Sequence, residues 1–206
     1  VSLMDVDRGR HTEAVDTIRK NLALPTEEGP GGAEGAERVI ARISTTTELA
    51  RAAQGADFLV EAAPEDLELK RAIFRELDAL CPPPALLATN TSANSITEIA
   101  SGAASRGRIL GTHFWNPPWL VPLVEVVPGR DTAPWAMESA CALLLEAGKR
   151  PVRVKKGVPG FVGNRLPHAL WWEAVFIVEG GLGDAENWGE VGKTGFGMKV
   201  FVLRAV

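Results

Sequence analysis

Residues 57–89 read DFLVEAAPEDLELKRAIFRELDALCPPPALLAT, and this stretch decides the fold class. Its first seven residues, 57–63, are mainly apolar and predict a buried strand. Residues 64–80 then show the pattern of an amphipathic helix, which ends before three prolines. The apolar face of that helix is expected to bury four side chains: Leu69, Ile73, Leu77 and Leu80. Residues 85–89 form the next apolar run, so the stretch predicts a strand, a helix and a second strand of a parallel sheet.

The same alternation extends to both sides of this stretch. Residues 1–5 are a short apolar run that ends in Asp5, and they predict a buried strand. A loop rich in Gly, Pro and Glu is expected over residues 26–35. Three more strands are predicted after residue 89, at residues 108–115, 120–127 and 151–155. The sequence therefore predicts an α/β fold with a doubly wound, Rossmann-like sheet.

The pattern changes from alternating strands and helices to long helix near residue 160. We therefore expect a Rossmann-type domain over residues 1–157 and the beginning of an all-helical domain over residues 158–206. The aromatic side chains of the second part are expected to pack in a core or against another subunit; these are Trp171, Trp172 and Phe176.

The sequence contains no convincing glycine-rich phosphate loop of the form G-x-G-x-x-G. In a doubly wound sheet this loop follows the first strand, one strand–helix unit before the strand that ends in the acid. The acid here is Asp5, so the first strand, its loop and its helix are expected to be missing from this sequence. Gly195 and Gly197 form a G-x-G, but no strand is predicted before them.

Composition argues against several classes of protein. The net charge of −4 disfavours nucleic acid as a partner and disfavours a polybasic membrane surface. The longest apolar stretch, residues 169–178, is interrupted by Glu173 and is too short to span a bilayer. Cys81 and Cys141 lie far apart without CxxC spacing, and the three histidines have no clustered thiols beside them. We expect a cytoplasmic protein without a structural metal or a disulfide bond.

Four short motifs follow one another along the chain. They are VEAAPEDLELK at residues 60–70, NTS at residues 90–92, GTHFWNPPWLVPLVEV at residues 111–126 and PGFVGNRL at residues 159–166. In their order and spacing they resemble the 3-hydroxyacyl-CoA dehydrogenase family, and the resemblance extends over essentially the whole chain. It implies NAD as the cofactor, a small-molecule substrate and a homodimer in the complete protein.

The resemblance assigns four residues to the cofactor. Asp5 would bind the adenosine ribose, and Glu65, Lys70 and Asn116 would lie near the cofactor. For Asp5 the residue itself points the same way, because a carboxylate at the end of the second strand accepts hydrogen bonds from the ribose hydroxyls. Such a carboxylate also repels the extra phosphate of NADP. An ordinary solvated aspartate at the start of a loop is the alternative.

The resemblance assigns four further residues to the reaction. His113 would be the base, Glu125 would orient it, Ser92 would lie between nicotinamide and substrate, and Asn164 would help hold the substrate. Oxidation of a secondary alcohol needs a group that accepts the hydroxyl proton, and histidine does this near neutral pH. Glu125 lies in an apolar run, where a buried carboxylate needs a partner such as an imidazole. The alternatives are a core histidine, a solvent-facing edge acid and two residues that begin helices or turns.

These assignments predict an oxidoreductase that interconverts the 3-hydroxy and 3-oxo forms of an acyl-CoA with NAD. The substrate is open, because residues 26–37 contain no Lys or Arg to meet the phosphates of CoA. Relatives in the same superfamily oxidise carnitine or sugar acids, so a free hydroxy acid of the carnitine or gulonate kind is one alternative. A catalytically silent fragment with a structural or interaction role is another.

Overall fold

Strands and helices alternate along the chain from Val1 to Pro159. The computed structural model describes residues 1–22 and 32–197, which fall into two units, Val1–Pro159 and Gly160–Val206. The strands of the first unit are β1 (Ser2–Met4), β2 (Ser44–Thr46), β3 (Phe58–Glu61), β4 (Leu86–Thr89), β5 (Ile109–Phe114), β6 (Leu123–Pro128) and β7 (Arg150–Arg153). Its helices are α1 (Arg8–Leu22), α2 (Gly32–Ile40), α3 (Leu49–Ala53), α4 (Leu67–Leu80), α5 (Ile96–Ile99) and α6 (Pro134–Glu146).

The strands of the first unit form two separate sheets. β1 and β2 pair in parallel, and the other five strands form one sheet in the order β3-β4-β5-β6-β7. Neighbours in the larger sheet run parallel except β5 and β6, which are antiparallel. The sequence predicts a parallel sheet, and this pair departs from it. The reason is the short connection: residues 115–122 are too few for the crossover that two parallel strands require.

The strand order is that of a doubly wound sheet. The usual order is 3-2-1-4-5-6, in which the direction of winding reverses beside strand 1. β2 and β1 take positions 3 and 2, and β3, β4 and β5 take positions 4, 5 and 6. Position 1 belongs between β1 and β3, and the part of the chain that the structure describes contributes no strand there. The prediction of a Rossmann-like α/β fold is confirmed.

α4 carries a charged residue on its buried face. The helix begins after Asp66, whose carboxylate accepts a hydrogen bond from the Leu69 amide. It buries Lys70, Phe74 and Leu77, which share one face because they are four and three residues apart. Leu69, which the sequence pattern places on the buried face, is 41% exposed. The buried face is rotated toward Lys70 because the ammonium group has partners inside the protein.

Two apolar clusters cover the larger sheet, one containing α4 and the other containing α6. Leu87 of β4 and Ile109 of β5 pack in the α4 cluster, while their neighbours Leu86 and Leu110 pack in the α6 cluster. Successive strand residues point to opposite faces, so the two clusters lie on the two faces of the sheet. This arrangement leaves the carboxyl ends of β3, β4 and β5 together at one edge.

An ion pair lies at the other edge of the sheet, where these strands begin. Arg108, just before β5, donates a hydrogen bond of 2.8 Å to the carboxylate of Asp78 in α4 and another to the carbonyl of Pro82. Burial by itself would raise the pKa of Asp78. Hydrogen bonds from the Ser105 amide, the Arg108 guanidinium and the Ala104 amide outweigh burial and hold this pKa below its ordinary value.

Both cysteines are free thiols. Cys81 packs in the α4 cluster and Cys141 in the α6 cluster, so different helices hold them. Burial raises the pKa of the Cys81 thiol. Among the residues that the structure describes, no group of three His, Cys, Asp or Glu side chains is arranged to hold a metal ion.

The prediction of a loop over residues 26–35 is wrong for its last four residues. α2 begins at Gly32, so residues 32–35 are helical. Glycine disfavours a helix, but Ala36 is only 1% exposed, and packing of this side chain outweighs the local preference. Residues 26–31 lie outside the described residues.

The described part of the second unit consists of helices joined by turns. It contains α7 (Arg165–Glu179), α8 (Ala185–Glu190) and a π-helical segment at Val191–Phe196. Three aromatic side chains of α7 are exposed, so their expected place in a core is wrong: Trp171, Trp172 and Phe176. A contact of these side chains with another subunit stays a prediction. Within residues 1–22 and 32–197, the helices are too short or too polar to cross a membrane.

Candidate active site

A histidine and a glutamate meet across the antiparallel strands β5 and β6. His113 and Glu125 are direct partners in the strand register, and the distance from Nδ1 to Oε2 is 2.8 Å. The contact that the sequence predicts is therefore present. Both side chains are buried, with 7% of His113 and 1% of Glu125 exposed. A carboxylate accepts this hydrogen bond when Nδ1 carries the ring proton, and in that tautomer the basic lone pair lies on Nε2.

An aromatic ring and an apolar strand residue lie next to this pair. The Trp115 ring lies 6.2 Å from the His113 ring, tilted by 55°. Val152 of β7 is the strand partner of Glu125 on its other side. Within the described residues, the indole nitrogen of Trp115 and the hydroxyl of Thr112 are buried without a hydrogen-bond partner. Low polarity strengthens the interaction between a carboxylate and an imidazole that takes up a proton.

Glu65 connects the ends of β3 and β4. Its carboxylate accepts hydrogen bonds from the Thr91 hydroxyl at 2.7 Å, the Ser92 amide at 2.8 Å and the Asn94 side chain at 2.6 Å. Partial burial alone would raise the pKa of Glu65, but these three donors and the charge of Lys70 lower it. The structure thus brings together two of the predicted site residues, Glu65 and Ser92.

Lys70 lies deeper than the resemblance suggests. It is 1% exposed, and its ammonium donates to Glu61 Oε1 at 2.8 Å and to the carbonyl of Ala63 at 2.9 Å. A third acid, Glu65, lies 3.8 Å away. Two of the three ammonium donors thus have hydrogen-bond acceptors, and the Glu65 carboxylate attracts the charge from a longer distance. Glu61 also accepts a hydrogen bond of 2.7 Å from the Thr89 hydroxyl of β4.

Sequence reasoning missed Glu61. The residue ends the apolar run FLVE of β3 and is 5% exposed. The same signal, an acid within an apolar run, marks Glu125. The partner of Glu61 is Lys70, nine residues away on the next helix. Only an amphipathic pattern with a lysine on the apolar face could have revealed this pair.

Two asparagines lie next to the ends of β4 and β5. Asn90 follows β4, and its side-chain oxygen accepts a hydrogen bond of 2.9 Å from the amide of Phe114, the residue after His113. Asn116 is exposed in the turn after β5, before a cis peptide bond to Pro117. Its expected place near the cofactor stays a prediction.

The helix-cap alternatives for the two small polar residues can be compared with the caps that the structure shows. Ser95 caps α5, with its hydroxyl accepting from the Glu98 amide, so Ser92 is not the cap of that helix. Asn164 lies in the second unit at the start of α7, and its side chain makes no cap hydrogen bond. The predicted roles of Ser92 and Asn164 toward the substrate stay predictions.

Asp5 directly follows β1, as the sequence predicts. One carboxylate oxygen, Oδ1, accepts the Asp7 amide at 2.9 Å, and the Asp5 carbonyl lies 3.0 Å from Nε2 of His11. The described residues hold no second hydrogen bond to this carboxylate, which keeps acceptor capacity for ribose hydroxyls. The acceptor oxygens of Asp5 therefore fit the ribose hydroxyls of NAD. The glycine-rich turn that would bind the pyrophosphate is not in the sequence.

Comparisons with known proteins identify the family of the chain. Residues 1–157 match the sequence model of the family described as 3-hydroxyacyl-CoA dehydrogenase, NAD binding domain. The L-carnitine dehydrogenase of Streptomyces griseus is 43% identical over 171 residues, which is 82% of this chain and 50% of that protein. The 3-hydroxyadipyl-CoA dehydrogenase of Escherichia coli is 41% identical over 174 residues, covering 84% of this chain and 36% of that protein.

A solved structure shows the same relationship. The crystal structure of 3-hydroxybutyryl-CoA dehydrogenase from Escherichia coli K12 superposes with a TM-score of 0.80 and 41% identity, covering 87% of this chain and 38% of that chain. The chain spans about half the length of the L-carnitine dehydrogenases that it matches. It belongs to the 3-hydroxyacyl-CoA dehydrogenase family, whose NAD-binding domain it carries at residues 1–157.

Proposed function

We propose that the protein containing this chain is an NAD-dependent dehydrogenase that interconverts the 3-hydroxy and 3-oxo forms of an acyl-CoA. The observation that carries this proposal is the buried contact of 2.8 Å between His113 Nδ1 and Glu125 Oε2. A histidine held by a carboxylate in this way is suited to remove a proton from an alcohol.

His113 Nε2 accepts the proton of the substrate hydroxyl, and the ring becomes an imidazolium. Glu125 stabilises this charge through a charge-assisted hydrogen bond and keeps the ring in one orientation. NAD, when bound, supplies the acceptor for the hydride that leaves the carbon bearing this hydroxyl, so the alcohol becomes a ketone. Asp5 would bind the adenosine ribose. Ser92 and Asn164 would hydrogen-bond the substrate oxygen and restrict its position.

A free 3-hydroxy acid of the carnitine kind is the second candidate substrate. Two observations favour it. The segment between Lys20 and Arg38 contains no basic residue but four glutamates, which would repel the phosphates of CoA. The chain is also 43% identical to an L-carnitine dehydrogenase. The third possibility, a silent structural protein, is disfavoured because both members of the catalytic pair are retained and in contact.

An oxidation assay of the full-length protein separates these candidates. NADH formation would be followed with 3-hydroxybutyryl-CoA, 3-hydroxyadipyl-CoA, carnitine and gulonate, each at saturating NAD. The proposal expects the largest kcat/KM for an acyl-CoA. Preference for carnitine or gulonate would select the second candidate. No turnover of any 3-hydroxy compound by a folded, NAD-binding protein would refute the enzymatic proposal.

A further inference from the structure

Two loops at the edge of the sheet that carries His113 are tied together by one carboxylate. We define the β3–α4 loop as residues 62–66 and the β4–α5 loop as residues 90–95. Glu65 belongs to the first loop and accepts four hydrogen bonds from the second: from the Thr91 hydroxyl, the Ser92 amide, the Ser92 hydroxyl and the Asn94 side chain. The position of Ser92 therefore depends on where Glu65 is held.

Glu65 is in turn held by a buried ion pair. Ala63, two residues before it, donates its amide hydrogen to Glu61 and accepts a hydrogen bond from Lys70 at its carbonyl. Both backbone groups of one residue in the β3–α4 loop are thus fixed by the pair. The Lys70 ammonium also lies 3.8 Å from Glu65 Oε2 and attracts that carboxylate.

Well-packed apolar residues at these two positions would stabilise the fold about as well as the ion pair does. The side chains of Lys70 and Glu61 are 1% and 3% exposed, and their nitrogen and oxygen are 2.8 Å apart. A buried ion pair gives little stability beyond that of well-packed apolar residues, because removing both charges from water is costly. What the pair does provide is a fixed direction for the hydrogen bonds to Ala63 and Thr89.

We propose that Glu61 and Lys70 are positioning residues that set Ser92 through Glu65. The chain of contacts runs from β3 to the β4–α5 loop without passing through any bound molecule. The consequence for catalysis rests on the proposed function, in which Ser92 contacts the substrate. The positioning itself is a property of the protein alone.

Amide hydrogen exchange of the full-length protein without NAD tests the positioning. Lys70→Met removes the ammonium, and Glu65→Gln places an amide group opposite these four donors. In both variants we expect the amides of residues 92–94 to exchange at least ~10-fold faster, the scale of one lost charge-assisted hydrogen bond. Exchange in the centre of β4 should stay unchanged. Glu68→Gln is the matched control, because this acid is exposed on α4, the helix of Lys70, and pairs with Arg71.

Lys70→Met leaves Glu61 buried without its cation and could prevent folding. The double variant Glu61→Gln/Lys70→Met removes both charges and avoids that cost. It should fold, show the same faster exchange at residues 92–94, and lose roughly 10- to 100-fold in kcat, as expected when a reacting group is misplaced.

Two results would overturn the proposal. One is wild-type exchange at Ser92 in a folded double variant. The other is a Lys70→Met protein with unchanged exchange and kcat but weakened NAD binding, which would make Lys70 a direct cofactor ligand. If the wild-type protein turns over no substrate, the proposed function fails, but the exchange measurement still decides the positioning.

Discussion

Replacing Glu125 with glutamine removes a charge from the proposed catalytic pair, His113 and Glu125, while almost preserving the volume of the side chain. Glu125 is 1% exposed and its Oε2 lies 2.8 Å from His113 Nδ1, so solvent screens this interaction very little. A hydrogen bond to a charged partner contributes about 1.5–3 kcal/mol. The imidazolium exists only once the substrate proton has moved, so this energy is lost from the transition state. We therefore expect kcat to fall roughly 10- to 150-fold.

Steady-state kinetics of the full-length protein would measure this change. The KM for NAD should stay within about twofold, because neither residue of the pair is assigned to the cofactor. Thermal unfolding would show that the variant is folded. Glu138→Gln, the same change at an exposed position of α6, provides the control. A folded Glu125→Gln protein with the kcat of the wild type would refute the role of the carboxylate.

Three further predictions concern other parts of the chain. The full-length protein should prefer NAD over NADP by at least ~100-fold in kcat/KM, and Asp5→Ala should reduce that preference; equal use of both cofactors by the wild type would contradict the role of Asp5. Asp78→Asn should cost about 3 kcal/mol in urea unfolding at neutral pH, because Arg108 loses its buried partner. The pKa of Asp78 is lowered in the folded state, so its carboxylate stabilises the protein above about pH 4, and the difference from wild type should shrink as the pH falls through the folded pKa. Burial raises the pKa of Cys81, so a thiol reagent at neutral pH should label Cys81 only after unfolding; rapid labelling of the native protein would show the thiol to be accessible.

Local patterns in the sequence predict most of the first unit. The stretch of residues 57–89 yields β3, α4 and β4 because apolar periodicity reports which side of an element is buried. The contact between His113 and Glu125 was predictable because a short connection joins their strands and a buried carboxylate needs a partner. Each of these inferences uses residues that are near one another in sequence.

The features that sequence reasoning missed depend on contacts between distant residues. Leu69 is exposed because Lys70 is drawn inward by Glu61, and Glu61 is itself fixed by Thr89, 28 residues further on. Periodicity cannot report such a pair, since it treats every lysine as a surface residue.

The antiparallel pairing of β5 and β6 makes the contact between His113 and Glu125 independent of the loop that joins the two strands. His113 and Glu125 face each other because of the backbone ladder, so an insertion within residues 115–122 leaves their register intact. A slip of one residue within β6 would turn Glu125 to the α6 face and remove the pair. The hairpin tip can therefore vary in length and sequence while the contact between His113 and Glu125 is preserved.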